Sequence, residues 1–408
     1  MNQKTSIKRA VSKVVNAKRY ISEKTADGAI LSLTGYHNYG NIMQRYALQQ
    51  FLKKNGYRFI SYADSLHHSQ ANYVIPKKVI AKTPLRFAKR LARNQKPYWY
   101  IPEIKDIYPD MVWTENLINF VNKYIWQKPF NLEDKDNYRN YIVGSDQVWR
   151  NWYGHEQSLD IEKRKVGYYF LDFLSDKKTN RLSYAASFGK DNLEGVLSHE
   201  LIKYVKPYIG KFDAISVRER SAINVIKKAW GRGDAVEVVD PTLLLGSSDY
   251  SKIVDRSSGI VKQDTSPIFY YILDMSEDKK KLIEQLSKYL KADYYGIFPD
   301  GEDVLPHVET WLKGFRDSEF AITDSFHGTV FSIINHTPFV VIGNEGRGLS
   351  RLIDLLAGLG LSDRLLMDGD IQKFDITKLK DIDWNDVQNK LDEKIRFSSD
   401  WLLSHLVK

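Results

Sequence analysis

Residues 321–343 read AITDSFHGTVFSIINHTPFVVIG. The apolar run Ala321–Thr323 predicts a buried strand. Asp324 and Ser325 are N-cap residue types, and the apolar positions from Phe326 to Ile334 predict a helix that gives way to a second apolar strand at Phe339. A strand, helix and strand joined by short turns form a βαβ unit, and a crossover of this kind requires parallel strands. His327 and Gly328 therefore sit where a strand hands over to a helix, which is where open parallel sheets bind ligands.

The same pattern extends in both directions. PIFYYILD (267–274), DYYGIF (293–298) and GLSRLIDLLAGLG (348–360) continue the strand and helix alternation around the opening unit, which predicts a parallel sheet covered by helices on both faces. Upstream, residues 27–63 give a strand from Ala29 to Leu33, a helix from about Asn41 to Lys54 closed by Asn55-Gly56, and a second strand. RNYIVGSDQVWR (139–150), RLSYAASFG (181–189), FDAISVRERSAINVIKKAWG (212–231) and AVEVVDPTLLL (235–245) are further units of that kind. The expected fold class is α/β, with two doubly wound Rossmann-like domains facing a cleft. Residues 28–245 form the first domain, the polar stretch 246–265 a linker, 266–382 the second domain and 383–408 a C-terminal helix. Residues 1–27 are expected to form a basic amphipathic helix, with Ile7, Val11, Val14, Val15 and Ile21 on its apolar face.

A chain of 408 residues accommodates two or three cores. The 60 Lys and Arg against 51 Asp and Glu give a formal charge of +9, which points to anionic partners without choosing among them. Cysteine is absent, which excludes disulfides, thiolate nucleophiles and cysteine-based zinc sites. Cations interrupt the N-terminal stretch, so it does not read as a signal peptide, and no segment is apolar enough to span a membrane. A cytoplasmic protein is expected. Within the basic insert 65–102 no residue is acidic, and Tyr98, Trp99 and Tyr100 follow its lysines and arginines. Residues 7–21 read first as a helix docked on the body of the protein and second as contact with a membrane surface, whereas 77–100 read equally as solvated surface or as peripheral contact with an anionic membrane. No nucleic-acid motif is present.

Candidate site residues come from the strand-to-helix turns. In GYHNYGN (35–41), Asn38 and Asn41 offer amide groups to a hydroxylated ligand, although asparagine and glycine also simply build turns. In VGSDQVWR (143–150), Asp146 could take a proton from a sugar hydroxyl, with Gln147 beside it and Trp149 placed to stack on a pyranose; equally, Asp146 caps a helix and Trp149 is core. Arg218 in SVRERS is a fork for carboxylate or phosphate, or a partner for Glu219 or Asp213. His327 lies in a helix first turn, where the dipole attracts an anion; a bound anion favours the imidazolium and readies it to donate a proton. Arg347 and Arg351 at the next turn add cations.

Taken together, NYGNIMQRYAL, VGSDQVW, SYAASFG, SVRERS, DPTLLL and DSFHGTVFSI…PFVVI, in that order between about Leu31 and Leu366, resemble the polysaccharide pyruvyl transferase family. The resemblance implies a GT-B-like pair of domains and transfer of pyruvate from phosphoenolpyruvate to two hydroxyls of a sugar, as a cyclic ketal in a surface glycan or its lipid-linked precursor. It implies no metal and no cofactor beyond phosphoenolpyruvate as co-substrate. Carried over, Arg218 is a donor-anion ligand, His327 a general acid or phosphate contact, and Arg347, or Arg351 nearby, a further basic contact; with the readings of the turns themselves, Arg218, His327 and Asp146 become the catalytic set. Arg218, Ser325, His327, Gly328, Arg347 and Arg351 bind the donor, and Asn38, Asn41, Asp146, Gln147 and Trp149 bind the acceptor. Many members carry Arg two residues before the His, where this chain has Ser325. The competing readings are a GT-B-type glycosyltransferase using a nucleotide sugar and a non-enzymatic glycan- or membrane-binding protein.

Overall fold

A computed structural model describes residues 26–63, 113–151, 158–175, 179–191, 193–194, 196–255, 267–344, 348–379 and 381–408. The expected N-terminal basic helix, nearly all of it, the basic insert 65–102 and Arg347 lie outside the described residues. Along the chain, the elements of the first unit are β1 (Gly28–Leu31), α1 (Tyr39–Lys54), β2 (Phe59–Ala63), α2 (Glu115–Tyr124), β3 (Gln127–Pro129), β4 (Asn140–Val143), α3 (Leu159–Tyr168), β5 (Asn180–Ala186), α4 (His199–Ile209), β6 (Ala214–Val217), α5 (Arg220–Trp230) and β7 (Val236–Glu237). There follow α6 (Ser247–Asp255), β8 (Ile268–Tyr271), α7 (Glu277–Leu290), β9 (Tyr294–Ile297), α8 (Val308–Asp317), β10 (Phe320–Thr323), α9 (Phe326–Ile334), β11 (Phe339–Gly343), α10 (Leu349–Leu359), β12 (Leu365–Met367) and α11 (Trp384–Ser404).

The strands form two sheets, ordered β3-β2-β1-β4-β5-β6-β7 and β12-β11-β10-β8-β9. Every pairing within them is parallel. In each sheet the strand order reverses beside the first strand, creating the switch point at which doubly wound sheets bind ligands. The α/β class and the paired, GT-B-like arrangement expected from the sequence are what the chain adopts.

Local chemistry sets the ends of the decisive helices. The Asn38 side chain accepts from the Asn41 amide at 3.2 Å to start α1, and the helix stops at Asn55-Gly56, where Gly56 takes φ +84°. Ser325 caps α9 by accepting from the Gly328 amide at 3.4 Å. Asp324 instead accepts from the amides of Leu273 and Asp274 and from Lys279 Nζ at 2.9 Å, which ties the turn before α9 to the end of β8.

Two departures from the sequence expectation concern how the units join. Residues 247–255 of the expected linker form α6, which buries Tyr250, Ile253 and Val254. These three positions have helical spacing, but flanking Ser and Gly hid it from the period count. Tyr250 packs edge-on to Phe331 at 4.9 Å, so α6 belongs with the second sheet. The C-terminal helix joins both units: Ser398 Oγ accepts from the Val239 amide at 3.0 Å and the His405 and Val407 carbonyls just past the helix accept from Asn180 and Asn140, while Trp384 stacks on His336 of the second unit at 4.9 Å. The two sheets also share one apolar core, in which Tyr39 of α1 stacks on Trp311 of α8 at 5.3 Å and donates to the Pro306 carbonyl at 2.7 Å. Among the described residues, no helix is long and apolar enough to cross a membrane.

Candidate active site

The carboxyl ends of both sheets converge on one buried group of charges. Arg218, just past β6, donates from Nη2 to Asp146 Oδ1 at 2.8 Å and from Nη1 to Asp240 Oδ2 at 3.1 Å. Its side chain is only 2% exposed. Asp240 follows β7 and starts a 3₁₀ turn, Pro241–Leu244. Its Oδ1 accepts from the amide and hydroxyl of Thr242, while its Oδ2 also accepts from Gln44 Nε2 of α1 at 2.6 Å. From the second sheet, His327 brings Nε2 to 3.6 Å from Asp240 Oδ2, and Arg351 brings Nη1 to 3.5 Å from Asp146 Oδ1. The Arg218 and Arg351 guanidinium carbons lie 5.1 and 5.3 Å from the centre of the Phe326 ring, where cation–π attraction adds to the ion pairs.

These neighbours set the charge states. Burial alone would push Asp240 up, but His327, Arg218 and the Thr242 hydroxyl hold it well below the carboxylate range. Asp146 is likewise lowered: burial is outweighed by Arg218 and Arg351. Burial opposes the charge on Arg218, yet Asp146 and Asp240 raise its pKa above the ordinary value. Arg351 is brought down to about 10 by burial and by the nearby Arg218 charge. Glu219 is raised by burial. Arg351 is thus the cation whose charge the site supports least, and a docking anion would stabilise it.

A cavity of about 250 Å³ opens on this cluster, bounded by Arg218, Asp240, Phe326 and Arg351, with Lys394 and Phe397 of α11 as the far wall. His327 is not on its lining. The ring sits behind Asp240 and is 7% exposed. On its other side it presses on Gly40 of α1, where an added Cβ would lie 2.0 Å from His327 Nδ1. The glycine of NYGN is required by the histidine of SFHG. Gly40→Ala should therefore displace the ring, costing about 1–3 kcal/mol of stability, read from denaturant midpoints; an unshifted midpoint would show that the contact can relax.

Several candidate residues have roles other than those expected from the sequence. Arg218 is not an open fork but a buried link between two carboxylates, and its hydrogen-bond partners are neither Glu219 nor Asp213. Trp149 is fully buried; its Nε1 donates to the Tyr169 carbonyl at 3.0 Å and its ring stacks on Phe170, so no face is left for a sugar. Asn38 is occupied as a helix cap. Asn41 is buried on α1, and Gln147 is buried and accepts from Arg150 at 2.9 Å. Ser325 caps α9, and Gly328 is needed because a Cβ there would come within 2.2 Å of Thr323 Oγ1. Asp240 and Gln44 are the residues that sequence reasoning left out of the site; the Asp-Pro at a strand end was the available signal for the first.

The family model described as polysaccharide pyruvyl transferase matches residues 38–346. No curated protein matches the sequence. Similar solved structures include UDP-GlcNAc 2-epimerase from Neisseria meningitidis (8% identity, covering 93% of this chain and 98% of that one, TM-score 0.43). MnaA from S. aureus (10%, 93% and 95%, TM-score 0.44) and UGT89C1 from Arabidopsis thaliana (8%, 93% and 99%, TM-score 0.44) are others. Asp146, Arg218, Asp240 and His327 all fall inside the matched span, which covers most of the sequence: the chain belongs to the polysaccharide pyruvyl transferase family.

Proposed function

We propose that this chain transfers the pyruvyl group of phosphoenolpyruvate, as a ketal, to two hydroxyls of a glycan, at the cavity bounded by Arg218, Asp240 and Arg351. The observation that carries the reading, together with the family, is the meeting of Asp146, Arg218, Asp240 and His327 from four separate motifs in one buried cluster, of which Arg218 and Asp240, with Arg351, line a cavity.

The chemistry balances with these groups. A proton added to the methylene carbon creates oxocarbenium character at C2. One sugar hydroxyl attacks C2 and gives up its proton; the C–O bond to phosphate then breaks with its electron pair, and the second hydroxyl closes the ring. Two hydroxyl protons leave, one goes to carbon and the other departs with phosphate. Arg351 holds the donor's anionic groups, with the field of Arg218 behind it. Asp146, ionised and held by the cavity-lining Arg218 and Arg351, is assigned the base role towards a hydroxyl. The His327–Asp240 pair is assigned the acid role: Asp240 lines the cavity and its Oδ2 lies 3.6 Å from His327 Nε2, the one imidazole in the cluster.

Phosphoenolpyruvate binding should accordingly take up protons. Calorimetry in buffers of different ionisation enthalpy should report net uptake near neutral pH, and His327→Gln should reduce it. Binding without proton exchange would remove the acid role from the pair. The glycan acceptor and the anionic membrane surface belong to the same proposal; the acceptor hydroxyls would enter from the side of Asp146.

A further inference from the structure

Among the described residues, one buried cation of the first unit has no carboxylate paired with it. Arg45, in the second turn of α1, is 1% exposed. Its Nη1 donates to Gln127 Oε1 at 3.0 Å, while Nε and Nη2 have no hydrogen-bond partner among the described residues. Burial lowers its pKa, and the neighbours that act on its charge are phenols, Tyr36 and Tyr169, rather than carboxylates. Gln127 in turn donates to the Tyr36 hydroxyl at 3.2 Å, so the guanidinium lies beneath the loop between β1 and α1. The contrast with Arg218 is direct: that arginine is equally buried and has two carboxylates. A buried guanidinium with two unused donors carries a desolvation cost that a paired one does not, and planar donors on adjacent nitrogens match two oxygens of one oxyanion.

We infer that Arg45 marks a second oxyanion site, in the first unit, that takes a phosphate group. Arg45 lies five residues along α1 from Gly40, the residue that touches His327, which is about 7.5 Å of helix rise. Gln44, the residue before Arg45, donates to Asp240 of the charged cluster at 2.6 Å, so the helix that carries Arg45 also reaches that cluster, and a phosphate held at Arg45 would be that of a sugar-phosphate acceptor. The site stands whether or not the donor is phosphoenolpyruvate.

The test uses the full chain and follows melting temperature with inorganic phosphate, glucose 1-phosphate and phosphoenolpyruvate as probes. In an Arg351→Met background, inorganic phosphate at a hundredfold excess over its Kd should raise the melting temperature by about 3 °C. Adding Arg45→Met should abolish that rise, and Arg45→Lys should keep part of it. The single variant Arg45→Met should melt no lower than the parent without ligand, because it removes an uncompensated buried charge; Arg45→Gln replaces it if the methionine variant fails to fold. Glucose 1-phosphate acting at lower concentration than inorganic phosphate would identify the acceptor as the source, and equal potency would identify free phosphate. A rise that survives Arg45→Met, or no rise in the Arg351→Met protein, overturns the site. In the Arg45→Met single variant the phosphoenolpyruvate response should persist, so loss of that response in every protein would count against the donor reading and leave this one intact.

Discussion

Replacing Arg218 by methionine should cost about 3–5 kcal/mol of stability and abolish turnover. The guanidinium is the main counter-charge for Asp146 and, with His327, one of two for Asp240, and all three side chains are withdrawn from solvent. Without it, two carboxylates remain buried with weaker partners. The stability loss should appear as a lower denaturant midpoint at unchanged slope. The pH dependence has a definite sign. Both carboxylates are held below their ordinary values in the folded chain. They therefore contribute stability that is present above about pH 4 and lost as pH falls towards their folded values. In Arg218→Met that acid-side loss should flatten. A midpoint and acid profile matching the parent would show that the carboxylates do not depend on Arg218.

His327→Gln carries the second large effect, and it is one of activity. Glutamine keeps comparable bulk between Gly40 and Asp240, so stability should change by less than about 1.5 kcal/mol. It cannot transfer a proton, and turnover, measured as phosphate released from phosphoenolpyruvate with acceptor present, should fall by about 10²–10⁴-fold. The pH–rate limb belonging to the His327–Asp240 pair should vanish with it. A full rate in this variant would move the acid role to another group.

The parts of the fold that were legible in the sequence are those carried by local pattern. The strand and helix alternation around SFHG and the Asn55-Gly56 stop follow from periodicity and turn chemistry and stand where expected, and of the two cap candidates, Asp324 and Ser325, it is Ser325 that caps. Helix α6 was missed because only Tyr250, Ile253 and Val254 carry its period, within a Ser-rich stretch. The site was legible by place and less so by role. The strand-end rule found Asp146, Arg218, His327 and Arg351. It could not show that Arg218 is consumed by two carboxylates, because Asp146, Arg218 and Asp240 are far apart in sequence and only the closed sheet brings them together. Nor could it tell a stacking tryptophan from a core one at Trp149, since both follow an apolar strand. The place of the arginine missing two residues before His327 is held by a capping serine, and the exposed side of the cluster is served instead by Arg351.

The most direct test of the central claim is ligand-induced stabilisation of the full chain. Phosphoenolpyruvate should raise the melting temperature of the parent protein and have a much smaller effect on Arg351→Met, while UDP-sugars leave both unchanged. Stabilisation by a UDP-sugar with none by phosphoenolpyruvate would contradict the account.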